Sequence, residues 1–296
     1  MKTMGFCWFK RSVLAAALVA FTTFIPAPAN AAHEMIYAVD TKNNLFNFWS
    51  DDPGNVLSQS AISGIQNAEE IRGLDYYNGT LYGLGSFSFL YTIDLNSGVA
   101  MQVGVPGVKF SPLLNGATFG ADNDPSGFRV VSNLRQNLLV NRATGGVITV
   151  GPNLSYAAGD VFAGQLPRAD ALSYDYATGS WYVADTLKNS LATLNPTTGV
   201  LSTIGGTGID PSQINGLDIS PFTGIMYMGT PAASSDPQAN LYTIDKATGF
   251  ASLVGQVDVP GANTLIRGLT VIPEPGSIVL VALGVLGLFF ARRRQS

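Results

Sequence analysis

Thr198-Gly199-Val200-Leu201-Ser202-Thr203-Ile204-Gly205 reads as a polar turn that ends in glycine and runs into an alternating strand. The same Gly-x-x-x-x-x-Gly spacing recurs at Ser97-Gly98 to Val103-Gly104, Thr144-Gly145 to Val150-Gly151 and Thr248-Gly249 to Val254-Gly255. Glycine at the end of such a turn supplies the positive φ that a hairpin requires, and the alternation after it marks a half-buried strand. A degenerate first copy starts at Pro53-Gly54. The leading glycines 54, 98, 145, 199 and 249 are separated by 44, 47, 54 and 50 residues, which is the period of propeller blades.

A second element repeats in phase with the first. Arg72-Gly73-Leu74-Asp75-Tyr76, Asn115-Gly116-Ala117-Thr118-Phe119, Asp170-Ala171-Leu172-Ser173-Tyr174 and Asn215-Gly216-Leu217-Asp218-Ile219 each open a strand, always with a small residue in second place. That restriction is expected where inner strands crowd toward a common axis. The chain's first unit, Met35-Ile36-Tyr37-Ala38-Val39-Asp40, has no such strand before it, whereas Arg267-Gly268-Leu269-Thr270-Val271 has nothing after it. The late strand therefore completes the early blade, which removes two sheet edges. The expected fold is all-β, a five-bladed β-propeller closed by a C-terminal strand. A sixth, unrecognised unit between Leu154 and Arg168 is the competing count.

The two ends carry different information. Lys2, Lys10 and Arg11, the apolar stretch Val13 to Ile25 and the small residues Ala29 and Ala31 read as a secretory signal peptide cleaved after Ala31. At the other end Pro273-Glu274-Pro275 precedes an apolar run and then Arg292-Arg293-Arg294. The 16 residues 276–291 would span about 24 Å as a helix, a minimal transmembrane length. The arginines would stay cytoplasmic, leaving everything before Pro273 on the far side of the inner membrane. This order of elements resembles the PEP-CTERM sorting signal of exported bacterial proteins. The resemblance implies an exosortase-type sorting protease as partner, transient residence in the inner membrane, and a final location at the cell surface or outside the cell. The organisation expected is thus a signal peptide at 1–31, a propeller at 32–272 and a sorting signal with a transmembrane helix at 273–296. A permanent C-terminal anchor is the alternative.

Composition closes off most chemistry. The sole cysteine, Cys7, lies in the signal peptide, and the sole histidine, His33, lies just after its cleavage site. Histidine triads, thiol nucleophiles and Cys or His metal sites are therefore excluded from the mature domain. Between the terminal basic segments, ten Lys and Arg face twenty Asp and Glu, a balance that argues against nucleic acid as a partner. No cofactor and no metal are expected; the Asp122-Asn123-Asp124 turn lacks the distal glutamate of a calcium loop. Carboxylates remain as general acids or bases. A hydrolase would use Asp75 and Asp218 with Glu70, but Thr118, Ser173 and Thr270 stand at the places aligned with them. An Asp, Ser and Thr mixture at one repeated position points to a hydrogen-bonding ring. Arg72, Asn115, Asp170, Asn215 and Arg267, just ahead of the inner strands, would surround one mouth of the channel and form its ligand-facing rim.

The stretch from Gly127 through Leu138 to Gly145, with the segments Leu81 to Asp94 and Gly216 to Ile219, also resembles an uncharacterised family of secreted bacterial propeller-like proteins. That resemblance implies fold and export and assigns no catalytic residue. The sequence favours an exported, non-catalytic surface module associated with exopolysaccharide or biofilm matrix; the alternative is a secreted carbohydrate-active hydrolase. If the tail is a processed signal, mass spectrometry of released protein will find Arg292 to Arg294 absent. Glu274→Ala should leave export intact and trap the chain with its tail attached; arginines retained on most mature molecules would establish a plain anchor instead.

Overall fold

A computed structural model describes residues 33–259 and 264–272. The signal peptide with Ala29 and Ala31, and the tail from Pro273 with its expected helix, lie outside the described residues. Among the described residues no helix is long and apolar enough to cross a membrane.

The described chain is built of strands, each antiparallel to the one before it within a blade. The first blade begins with β1 (Met35–Asp40), β2 (Asn44–Trp49) and β3 (Asp52–Ala61). The second holds β4 (Ile71–Tyr77), β5 (Thr80–Gly85), β6 (Phe89–Ile93) and β7 (Ala100–Gln102). The third holds β8 (Phe119–Asp124), β9 (Gly127–Ser132), β10 (Asn137–Val140) and β11 (Val147–Val150). The short β12 (Ser155–Tyr156) precedes the fourth, which holds β13 (Ala169–Asp175), β14 (Ser180–Asp185), β15 (Ser190–Asn195) and β16 (Val200–Gly206). The fifth holds β17 (Gly216–Ile219), β18 (Met226–Pro231), β19 (Ala239–Ile244) and β20 (Ala251–Gln256), and β21 (Ile266–Ile272) ends the described chain.

β21 pairs antiparallel with β1, Met35 opposite Ile272 and Ala38 opposite Leu269, and so supplies the inner strand that the first blade lacks. The count of five and the closure match the sequence reading. The stretch from Leu154 to Arg168 is no sixth blade. It places β12 parallel to β16, widening the fourth sheet to five strands.

Apolar burial lies between blades. Five clusters are formed, each from two neighbouring sheets. Phe46 and Phe48 of the first blade, for example, meet Tyr227 and Leu241 of the fifth and Leu269 and Val271 of β21. A blade alone would leave both faces wet, so stability comes from the ring as a whole.

The turn glycines Gly98, Gly145, Gly199 and Gly249 all have positive φ, between 67° and 82°. Each follows an Asp or Asn whose side chain accepts backbone N–H groups of the turn, as Asn195 Oδ1 does from Thr197 and Thr198 at 3.1 and 3.2 Å. A Cβ at Gly199 would stand 2.7 Å from the Pro152 carbonyl oxygen, so the glycine also permits close approach of the β11–β12 connection. Gly54 departs from the pattern expected of it: it lies inside β3, because the β2–β3 connection is tighter and comes earlier, with Trp49 opposite Asp52.

Ile266, Leu269, Val271 and Ile272 of β21 are all buried. At about 1.5–3 kcal/mol for each aliphatic side chain returned to water, a chain ending before Ile266 loses an amount comparable to the whole stability of a domain. Relative to a chain ending at Ile272 it should aggregate or melt far lower; equal melting temperatures in calorimetry would show that β21 does not close the ring.

Candidate functional site

The five inner strands approach the axis at a layer of small residues. A Cβ on Gly120 would lie 2.4 Å from the Ala171 carbonyl carbon, one on Gly216 2.5 Å from Leu269 N, and one on Gly268 2.7 Å from Leu74 N. Gly73, Gly120, Ala171, Gly216 and Gly268 therefore form the constriction, and the cavity threading it has a volume of about 10 Å³, room for one water.

This layer corrects the register of the third blade. Its axial small residue is Gly120 rather than Gly116, so Asp122 rather than Thr118 stands level with Asp75 and Asp218. Gly116 also sits in a tight place, but against Ser132 and Asn133 of its own blade. The recurrent small-apolar-Asp string, Gly73-Leu74-Asp75, Gly120-Ala121-Asp122 and Gly216-Leu217-Asp218, was the signal that could have found Asp122.

Two positions after the constriction, each strand presents a side-chain oxygen to the next blade. Asp75 Oδ2 accepts Asn123 N–H at 3.0 Å, Asp122 Oδ2 accepts Tyr174 N–H at 2.7 Å, and Ser173 Oγ accepts Ile219 N–H at 2.9 Å. Asp218 Oδ2 accepts Val271 N–H at 2.7 Å, and Thr270 Oγ1 accepts Tyr76 N–H at 3.0 Å, which returns to the second blade. The two hydroxyls also donate, Thr270 to Asp75 at 3.2 Å and Ser173 to Asp218 at 3.3 Å.

Asp75, Asp122 and Asp218 are buried, and an oxygen from each lies within 4.8 Å of the others. Burial raises all three carboxyls above the ordinary range, and for Asp122 the charges of Asp75 and Asp218 add to it. Three oxygen ligands so placed have the composition of a hard-cation site, but in this arrangement their oxygens serve the backbone and one another. Tyr176 closes this end of the axis. Its hydroxyl donates to the Asn123 carbonyl at 2.8 Å, and burial together with the three carboxylates holds the phenol protonated.

Glu70 is not with these aspartates. It binds Arg72 and, at 2.7 Å, Arg267 Nη2, at the opposite mouth, five residues before Asp75 and so roughly 16 Å back along the strand. The proposed trio Asp75, Asp218 and Glu70 is therefore split between two layers. Glu69 and Glu34 are structural: Glu69 accepts from Phe87 N–H and Tyr91 hydroxyl, and Glu34 reaches Ser220, Thr223 and Tyr227 of the fifth blade. His33 is held as well, stacked on Trp49 at 4.0 Å and bonded to Asp51 at 2.9 Å.

Of the expected mouth residues, Arg72, Asp170, Asn215 and Arg267 surround the channel, and Phe119 takes the fifth place. Asn115 lies outside the rim, on the surface, its N–H donated to Gln136 and its carbonyl accepting from Ser132. Asp170 accepts from Thr118 and Thr186, and burial pushes its carboxyl up to about 6 despite those bonds. The other end of the axis is apolar. Tyr76, Tyr77, Tyr176, Pro221 and Phe222 line a concavity of about 490 Å³ there, with Tyr77 and Tyr176 stacked at 6.3 Å. Arg142 lies over Tyr77 at 4.0 Å and buttresses it.

The sequence matches the family described as a domain of unknown function (DUF4394) over residues 44–270. The chain belongs to the DUF4394 family. Residues 271–294 match the PEP-CTERM protein-sorting motif, so this DUF4394 domain is an exported cargo of exosortase with its sorting signal at the C-terminus. No curated protein matches it. Among solved structures it is similar to a protein of unknown function from Bacteroides caccae, at 11% identity and a TM-score of 0.44, covering 82% of this chain and 100% of that one. It is also similar to Myxococcus xanthus glutaminyl cyclase, at 11% identity and a TM-score of 0.47, covering 75% and 95%. A third, a structural genomics protein of unknown function from Bacteroides thetaiotaomicron VPI-5482, has 18% identity and a TM-score of 0.47, covering 77% and 60%.

The aspartate layer has a pH signature. Carboxyls raised in the folded state contribute most below about pH 4, where they are protonated in both states, and that contribution is lost as pH rises through their folded values. Asp122→Asn keeps an acceptor for Tyr174 N–H and removes one charge. It should stabilise the domain at pH 8 by on the order of 1–3 kcal/mol and change little at pH 4. Equilibrium unfolding at the two pH values checks this; a loss of stability at pH 8 would mean that the charge is needed.

Proposed function

We propose that this protein is a non-catalytic surface or extracellular module that associates with exopolysaccharide, released or held by the sorting system after export. The observation that carries this reading is the aromatic concavity at the end of the axis. Tyr77, Tyr176 and Phe222 offer ring faces beside the backbone turn Asn78-Gly79, and Phe222 is 59% exposed. Open aromatic faces in a concave, mainly apolar recess suit the C–H faces of pyranose rings, while a shallow polar margin orients hydroxyls.

The hydrolase alternative is weakened by the same geometry. Its inner-strand carboxylates are committed to backbone N–H groups behind Tyr176, and Glu70 is committed to two arginines on the other side of the constriction. A retaining or inverting glycosidase needs two carboxyls facing one sugar, about 5 to 10 Å apart.

A polysaccharide array with a parallel hydrolysis assay tests the reading. Binding without turnover is expected, and Phe222→Ala should weaken it about tenfold with an unchanged melting temperature, since the ring is exposed. Release of reducing ends from any bound polysaccharide would favour the hydrolase; no binding across neutral and acidic polysaccharides would remove the reading altogether.

A further inference from the structure

The mouth at the start of the inner strands carries polar groups that nothing in the described fold satisfies. Arg267 is nine-tenths buried in its side chain, yet only its Nη2 has a partner, Glu70. Its Nε and Nη1, and Nε of Arg72, have no hydrogen-bond partner among the described residues. Asn215 is 3% exposed; its Nδ2 donates to the Ser212 carbonyl at 2.8 Å, and its Oδ1 is unpartnered among the described residues. Leaving buried guanidinium N–H groups unbonded costs several times what an exposed pair would gain, so the arrangement calls for an acceptor.

Arg72, Asn215 and Arg267 all border one small recess of about 10 Å³, enough for a single oxygen. Two guanidiniums share one carboxylate there, Glu70, while the only other carboxyl on this mouth, Asp170, is taken up by the Thr118 and Thr186 hydroxyls and leaves the arginine N–H groups unbonded. Burial and the Arg267 charge both lower the Arg72 guanidinium, the mark of like charges held close. The recess opens at Arg72, Thr118, Gln213 and Ile214 into a groove of about 600 Å³. The groove is polar, bordered by Arg168, Thr186, Asn189, Asp210 and Ser212, and Asn189 Oδ1 is another acceptor without a partner among the described residues.

We propose that this mouth binds the carboxylate of an acidic sugar, one carboxylate oxygen seated against Arg267 and Arg72 and the hydroxyl-bearing ring lying in the groove. Each chemical element of the ligand answers a feature of the site. The unbonded guanidinium N–H groups call for an oxygen acceptor, and guanidiniums bond carboxylate oxygens in fixed geometry. In the groove, the Asn189 oxygen accepts a sugar hydroxyl, which a simple fatty acid or acetate does not carry. Placement of the site at the mouth is independent of the aromatic concavity; only the choice of a sugar rests on the exopolysaccharide reading.

Isothermal titration of the full chain with sodium glucuronate, glucose and sodium sulfate tests this. Glucuronate should bind at least tenfold more tightly than either other probe. Arg267→Gln should abolish the preference, and Asn215→Asp, which adds a negative charge without shortening the side chain, should reduce glucuronate binding at least tenfold. Leu253→Ala, at an exposed position of β20 away from the mouth, should leave glucuronate binding unchanged. Should Arg267→Gln fail to fold, Asn215→Asp and the three probes on the parent protein still decide. Equal binding of glucose and glucuronate, or sulfate binding as tightly as glucuronate, overturns the proposal, as does absence of glucuronate binding. Array binding of neutral polysaccharide in any of those cases would leave the broader function standing.

Discussion

Five hydrogen bonds around the axis hold this ring together in a way that apolar packing alone does not. Asp75, Asp122, Ser173, Asp218 and Thr270 each reach the backbone of the next blade, and the last returns to the first. The bonds run between inner strands that make no ladder with one another, so they fix the axial height of every blade relative to its neighbour. Once the heights are fixed, the small-residue constriction and the five interblade clusters follow.

The mixture of residue types in this ring has an electrostatic reason. Five carboxylates at the axis would repel beyond what backbone donors could offset. A serine or threonine hydroxyl accepts the same N–H and still donates, which is how Ser173 and Thr270 flank Asp218 and how Thr270 also serves Asp75. Asp75 and Asp122 remain adjacent without a hydroxyl between them, and burial raises both carboxyls. The cost of that adjacency is borne by a domain with no disulfide to draw on.

Blade number and closure were legible because they depend on local chemistry. Asx turns, positive-φ glycines and alternation repeat wherever a hairpin repeats, and a missing strand at one end is matched by a spare one at the other. The third blade was misaligned because its inner strand is defined by an approach to the axis. Asn115-Gly116-Ala117-Thr118 offers the same small-residue signature four residues early, and only packing against Ala171 selects Gly120. Arg72, Asp170, Asn215 and Arg267 line the channel as residues ahead of the inner strands, but the sharing of Glu70 by Arg72 and Arg267 joins strands far apart in sequence. No local pattern could reveal which arginine nitrogens have no partner among the described residues.

The direction of the closing strand gives the domain a polarity. Inner strands all run from the arginine mouth toward the aromatic end, and β21 does the same, from Arg267 to Ile272. The sorting motif starts at residue 271, at the finish of that strand. The described chain therefore leaves the ring at the aromatic end, across the constriction from the arginine mouth. A pull on Ile272 along the direction of β21 would load the whole ladder with β1 in shear instead of peeling one bond at a time. The strand that completes the ring is thus also the strand on which the sorting motif begins.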